Sequence, residues 1–154
     1  MHKPVRRKDR EISINDARDL MRNSPYGVLA TASDDGQPYT TPLSYVFDGD
    51  YIYFHCALEG HKLDNIRTNP AVSFCVVGQT KTLPKMFATE YESAVAFGTA
   101  KEIHGDEKQD ALLNILEKYS PEFIPQGIKY IAGKIDETTV IKIDVKHLTG
   151  KARR

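Results

Sequence analysis

No charge of one sign dominates this chain. Lysine and arginine number 21 and aspartate and glutamate also 21, so the formal net charge is zero. A protein devoted to nucleic acid or to a membrane surface normally carries a basic excess, and both classes are set aside on that ground. The basic start, KPVRRKDR, and the basic end, KARR, read as solvated ends. Cysteine is scarce too: there are two, Cys56 and Cys75, each inside a strand-like apolar run and with no C-x-x-C. They are expected as buried thiols in a reducing compartment. No apolar run approaches the roughly 20 residues of a membrane helix, and the polar N-terminus has no apolar leader. A soluble, cytoplasmic protein is expected.

Catalytic signatures are missing as well. There is no G-x-G-x-x-G after a strand, no G-x-x-x-x-G-K-[ST] and no G-x-S-x-G. These absences speak against a Rossmann dinucleotide site, a P-loop and a serine nucleophile elbow. If the chain is an enzyme, a cofactor supplies its reactivity.

At 154 residues the chain is expected to be one domain over residues 12–154, preceded by a loose arm, 1–11. Ser13 with Asp16 marks a helix start, and Ile14, Ala17, Leu20 and Met21 fall on one helical face. Tyr26 to Ser33 and Pro38 to Phe47 read as two strands around the turn Asp34-Asp35-Gly36. Tyr51 to Cys56 is a third, followed by a short helix from Gly60 to Thr68 that Asn69-Pro70 stops. Ala71 to Val77 is a buried strand, Gly78 to Thr89 a mobile loop that covers a ligand, and Tyr91 to His104 a long strand. Gly98 within it signals a bulge or a close approach. An amphipathic helix runs from Asp106 to Tyr119, Pro121 to Gly133 is a broken helix, and Thr139 to Val145 alternates as a last strand. About six strands joined by hairpin turns, with three helices, predict a mainly β (α+β) fold: an antiparallel barrel with flanking helices.

The chain is organised around Thr40 to Ile66, where strands run into a helix whose first turn holds His61 and Lys62. Free backbone amides, the helix dipole and an ammonium make a workable anion site. Thr40, Thr41 and Ser44 offer hydroxyls and main-chain groups, and Pro42 marks an edge where such groups are free for a ligand. His55, Cys56 and His61 suit a metal poorly, because neighbours on a strand point to opposite faces. Tyr39, Tyr45, Tyr51 and Tyr53 fit strand packing. Tyr91 and Phe87 are read as core residues, with the substrate side of a bound ring as the alternative, and His104 and His147 are expected on the surface.

The ordered segments YGVLATASDDGQPYTTPLSYVFDGDYIYFHCALEGHKLDNI, NPAVSFCVV, YESAVAFGTAKEI and VIKIDVKHLTGKAR resemble the pyridoxamine-5′-phosphate-oxidase-like, FMN-binding split-barrel family, closest to its nitroimidazole-resistance branch. The resemblance implies a six-stranded antiparallel split barrel that forms a homodimer, with two FMN molecules at the interface. It implies that Thr40, Thr41, Pro42, Leu43, Ser44 and Tyr45 run along the flavin ring. His55, Cys56 and the following Ala57 would lie beside the ring and ribityl chain, His61 and Lys62 would take the phosphate, and Ser93 would reach the cofactor from a later strand. His55 is the counterpart of a histidine tied to substrate chemistry. Lys151 matches a recurrent ending with no assigned contact. His61 stands where the oxidase has arginine, replacing a permanent charge with a titratable one. The oxidase's basic substrate-phosphate residues are not recognisable in KHLTGKARR. The implied activity is FMN-dependent reduction of a small, flat, electron-poor substrate by a reduced donor. A flavin- or haem-binding module without turnover is the alternative, with pyridoxamine phosphate oxidation last.

Overall fold

The computed structural model describes residues 2–154. Among these, helix α1 (Ile14–Asn23) comes first, and its Ser13 cap accepts from the Asp16 amide at 3.0 Å. Strands β1 (Gly27–Ala32), β2 (Pro38–Leu43), β3 (Val46–Phe47) and β4 (Tyr51–Cys56) follow. Then come α2 (His61–Thr68), β5 (Ala71–Leu83), β6 (Ala88–Ile103), α3 (Gly105–Tyr119), α4 (Ile124–Lys134) and β7 (Thr139–Arg153), with short 3-10 turns between some of them. The seven strands form one sheet in the order β2-β1-β5-β6-β7-β4-β3, with every pairing antiparallel. One face carries the core, built from Leu29, Phe74, Ala96, Ile52, Phe54, Ile141 and Ile143, each almost wholly buried, with Ala17 and Met21 of α1 against it.

The structure has seven strands rather than six, because the run expected as one strand from Pro38 to Phe47 breaks at Ser44 and Tyr45. Tyr45 is fully buried, and its hydroxyl donates to the Met21 carbonyl. Its own amide donates to the Tyr119 hydroxyl at 3.0 Å, and its carbonyl accepts from Lys118 Nζ at 3.0 Å. With both main-chain groups held by α3, Tyr45 cannot continue a ladder, and the chain crosses to the other edge of the sheet. Lys118 also donates to the Ser24 carbonyl at 2.9 Å and lies 4.0 Å from the centre of the Tyr45 ring. Burial pulls its ammonium down to about 8. The two carbonyls and the ring face are what its charge has in place of water.

Other boundaries shift for local reasons. Residues 78–89, expected as a mobile loop, form the end of a hairpin: β5 and β6 pair from Thr80–Tyr91 to Leu83–Ala88, beyond an irregularity after Val77, around a 3-10 turn at Pro84–Met86. Phe87, expected in the core, sits at the tip of this hairpin at φ 50° and is 96% exposed. Segment 146–153 is likewise no tail but the end of β7, paired with β6 as far as Arg153–Tyr91. The bulge expected at Gly98 is present between Phe97 and Gly98, where a Cβ would lie 2.2 Å from the Asp144 carbonyl oxygen. The broken helix resolves into a 3-10 turn at Pro121–Phe123 and then α4, a fourth helix. In the expected arm, Val5 is buried, Lys8–Arg10 makes a 3-10 turn and Glu11 bridges to Lys151.

Tyr119→Phe strips the Tyr45 amide of its acceptor, so the free energy of unfolding in urea should fall by about 1–2 kcal/mol. An unchanged midpoint would show that α3 does not hold the strand crossing.

Candidate functional site

The sheet has two edges, and they face each other. On one, β2 has a neighbour only in β1. On the other, β3 covers only Ile52 and Tyr53 of β4, so Phe54–Cys56 has a free side. Because Ser44 and Tyr45 alone join β2 to β3, the edges meet within three Cα steps, at most about 11 Å. The result is a seam that opens from this link toward the start of α2. Tyr39 of β2 and His61 of α2 stack with ring centres 3.9 Å apart, which brings the helix start against the β2 edge.

Backbone groups along β2 are available to a ligand. Pro38 and Pro42 lack an N–H and suit the positions whose amide would face away from β1. Thr40 lies between them with the same parity, so its N–H and C=O face the seam.

The start of α2 lacks a cap. Gly60 precedes it in extended conformation with no side-chain cap, and a Cβ there would meet nothing within 4 Å. The first helical bond runs from the Asp64 amide to the Gly60 carbonyl, which leaves the amides of His61, Lys62 and Leu63 unpaired within the helix. Asn65 holds the helix in place through a buried hydrogen bond to Thr31 Oγ1 at 3.0 Å. Cys56 points toward this end. Burial pushes its thiol up, and the charges of Lys62 and Arg67 pull against that. Arg67 Nη2 reaches back to the Leu58 carbonyl at 3.4 Å. The donor set of free amides, one ammonium, one guanidinium and an imidazole, with open space before it, fits a phosphate monoester.

The other expected residues divide by strand parity. Thr40 and Pro42 share the outward face with Val28, Ala30, Ser73, Cys75, Val95 and Phe97, whereas Thr41 and Leu43 are half-buried on the core side. Ser44 is exposed in the link, and Tyr45 is fully occupied there as a core residue. Ser93 is on the outward face opposite Lys151, but three strand spacings from β2, about 14 Å along the sheet. Within one chain it does not reach the seam. Ala57 is exposed just beyond β4.

His55 and Cys56, expected beside the ring and ribityl chain, point to opposite faces of β4, as adjacent strand positions do. His55 projects outward from β4 into a cavity of about 330 Å³ under α3 and α4. Burial alone pulls its imidazole below the ordinary value. Arg67 and Tyr39 are the residues the sequence reading missed. Arg67 lies at the far end of α2 and shows its reach only once the helix is placed, and Tyr39 looked like strand packing. His147, expected at the surface, is partly buried, with its ring stacked 5.2 Å from that of His2 and Nε2 unpartnered.

A folded-state imidazole that protonates less readily than the unfolded one costs stability as pH falls below about 6.5. Wild type should therefore lose more of its urea midpoint than His55→Gln does between about pH 7 and pH 5. Parallel losses in both proteins would show that the surroundings of His55 do not disfavour its charged form.

Residues 13–152 match the family model described as pyridoxamine 5'-phosphate oxidase. No curated protein matches the sequence. Among solved structures, a candidate 5-nitroimidazole antibiotic resistance protein from Bacteroides thetaiotaomicron is similar, with 21% identity, a TM-score of 0.75 and coverage of 92% of this chain and 86% of that one. A FAD-binding protein from Mesorhizobium loti shares 22% identity at TM-score 0.72, covering 94% of this chain and 98% of that one. A FAD and haem binding protein from Mycobacterium smegmatis has 18% identity and a TM-score of 0.79, covering 92% and 72%. At such identities the likeness is one of fold. The family model spans nearly all of the chain, from the cap of α1 to the end of β7: this protein belongs to the pyridoxamine 5'-phosphate oxidase family.

Proposed function

We propose that this protein is an FMN-dependent oxidoreductase, working as a homodimer, that passes electrons from a reduced donor to a small electron-poor substrate of the nitroaromatic type. The observation that carries it is the seam ending on the uncapped start of α2, flanked by His61, Lys62 and Arg67. One anion cradle without a glycine-rich dinucleotide turn favours a mononucleotide over FAD. When bound, FMN supplies the two-electron chemistry that no side-chain dyad here provides. The chain's own residues bind and orient: Lys62, Arg67 and the α2 amides hold the phosphate, and the Thr40 main chain pairs with the polar edge of the ring. Neutral His55 offers a ring N–H to a substrate oxygen.

A second copy of the chain completes this reading. The outward face of β1, β5 and β6 carries an apolar band, with Val28, Cys75, Val95 and Phe97 half-buried and Val77 55% exposed, interrupted by Ser73 and Ser93. Such a face is the usual mark of an interface. Ser93 lies on the same face, so a partner's sheet is the route by which it reaches a flavin. The shared fold of the Mycobacterium smegmatis FAD and haem binding protein supports a second reading, a cofactor-binding module without turnover. Pyridoxamine phosphate oxidation ranks last, since KHLTGKARR carries no recognisable counterpart of the oxidase's substrate-phosphate residues.

The freshly purified protein should be yellow, release FMN, and reduce a nitroimidazole at the expense of reduced nicotinamide. A haem Soret band, or a flavin that no donor reduces, would favour the second reading. Lys62→Ala should weaken FMN binding roughly ten- to hundredfold, the worth of a charge-assisted hydrogen bond; unchanged occupancy would place the phosphate elsewhere. Val95→Asp should halve the mass in solution and lower FMN retention, whereas a wild type that is already monomeric would remove the interface.

A further inference from the structure

We infer that a groove across the outward face of β1, β5, β6 and β7 is a second nucleotide site, which takes a flat ring with a phosphate and seats the reduced nicotinamide donor. The donor role rests on the flavin reading of the seam; the ring-and-phosphate chemistry does not. The groove has two lobes of about 410 and 270 Å³, which meet at Thr99 and Lys146. Together they have the size of a small-molecule site.

The smaller lobe gathers cations. Lys101 and Lys142 stand directly opposite each other on β6 and β7, and like charges so placed destabilise a sheet. Lys146 joins them because the bulge makes it the extra residue of β7: Phe97 pairs with His147, and Gly98 with Val145. Bulges re-aim side chains in this way. Lys142 lies 2.6 Å from Glu107 and Lys146 lies 2.6 Å from Asp144, whereas Lys101 has no carboxylate partner among the described residues. Three ammonium groups against two carboxylates leave one positive charge unmatched in this lobe. An anionic group between Lys101 and Lys146 removes the repulsion that the strand pairing imposes.

The larger lobe accommodates the ring. Phe97 forms one wall, and the His2 ring lies on it with centres 4.9 Å apart. Ala30, Ala71 and Ser73 line the rest with short side chains, so a planar group can lie close to the sheet. Phe97 and Lys101 are four residues apart, about 13 Å along the strand, which puts ring and charge at opposite ends of one ligand. Ala30 pairs directly with Thr40, the β2 residue whose main chain faces the seam, so the ring end borders the cofactor's strand. The apolar band of the proposed interface stops at Phe97; beyond it, Thr99 and Lys101 are exposed.

The protein as isolated, with no reductant present, is titrated in a calorimeter with oxidised nicotinamide mononucleotide and, separately, with nicotinamide riboside, which lacks the phosphate. The mononucleotide should bind saturably, at least tenfold more tightly than the riboside, and more weakly as salt is raised. Lys101→Glu should weaken it at least tenfold and raise the KM for the reduced donor, while FMN content and the KM for a nitroimidazole stay at wild-type values. Lys101→Arg should behave as wild type, which separates charge from misfolding. Ala71→Trp, at an exposed position in the ring lobe, should weaken both ligands. The inference is overturned if the mononucleotide does not bind, if the riboside binds as tightly, or if Lys101→Glu binds the mononucleotide as wild type does. Displacement of FMN by saturating mononucleotide also overturns it, since the groove would then be the cofactor's own site. A wild type that takes up no FMN, yet binds the mononucleotide through Lys101, overturns the reading of the seam and not that of the groove.

Discussion

The strand crossing at Ser44 and Tyr45 is the constraint on which the rest depends. Two residues are too few for a free loop between opposite edges of a seven-stranded sheet, so the sheet must curl until its edges meet. That geometry persists only if the backbone at the crossing finds partners outside the ladder, because unpaired main-chain groups beside a core are costly. Tyr119 and Lys118 supply them from α3, and the Tyr45 side chain locks into the core beneath Phe74 with ring centres 4.7 Å apart. The same clamp fixes α3 over β4, and therefore fixes the cavity into which His55 projects.

Charge is arranged by position, not by amount. A chain with zero net charge still concentrates Lys62, Arg67 and His61 around an uncapped helix start. Surface ion pairs elsewhere, such as Arg7 with Asp9 or Arg22 with Asp19, are exposed and contribute little. Lys62 and Arg67 differ in having no carboxylate partner among the described residues. Unspent cations at a helix N-terminus are what an anionic ligand needs, and Asn65 buried against Thr31 keeps the helix where those cations converge.

Much of this was legible in the residues. Ser13 with Asp16 located α1, Asp34-Asp35-Gly36 located the first hairpin, and Tyr51 to Cys56 was bounded correctly, because caps, tight turns and alternation are local signals. The Gly98 bulge was legible for the same reason. The break at Ser44 was not, since nothing local distinguishes Tyr45 from its neighbours; its partners lie 74 residues away on α3. The β5–β6 hairpin beyond Val77 lacks an apolar alternation because neither of its faces reaches the core, so polar Gln79, Thr80 and Lys81 read as loop. At the site, the helix start with His61 and Lys62 was visible, whereas Arg67 and Tyr39 become neighbours of it only in three dimensions.

Strand parity does the remaining work. On β4, Cys56 turns toward the cationic helix start and His55 toward the apolar cavity, so two adjacent residues face two unlike environments. On the proposed reading, a flavin along the seam would have its phosphate on the Cys56 side and a flank toward His55. A single six-residue strand in this way separates a cationic helix start from a cavity with mostly apolar walls. Shifting the register of β4 by one residue would exchange them, placing the imidazole among cations and the thiol in the cavity. The pairing of β4 with β7, continuous from Tyr51–Asp144 to Cys56–Thr139, is what prevents that slip.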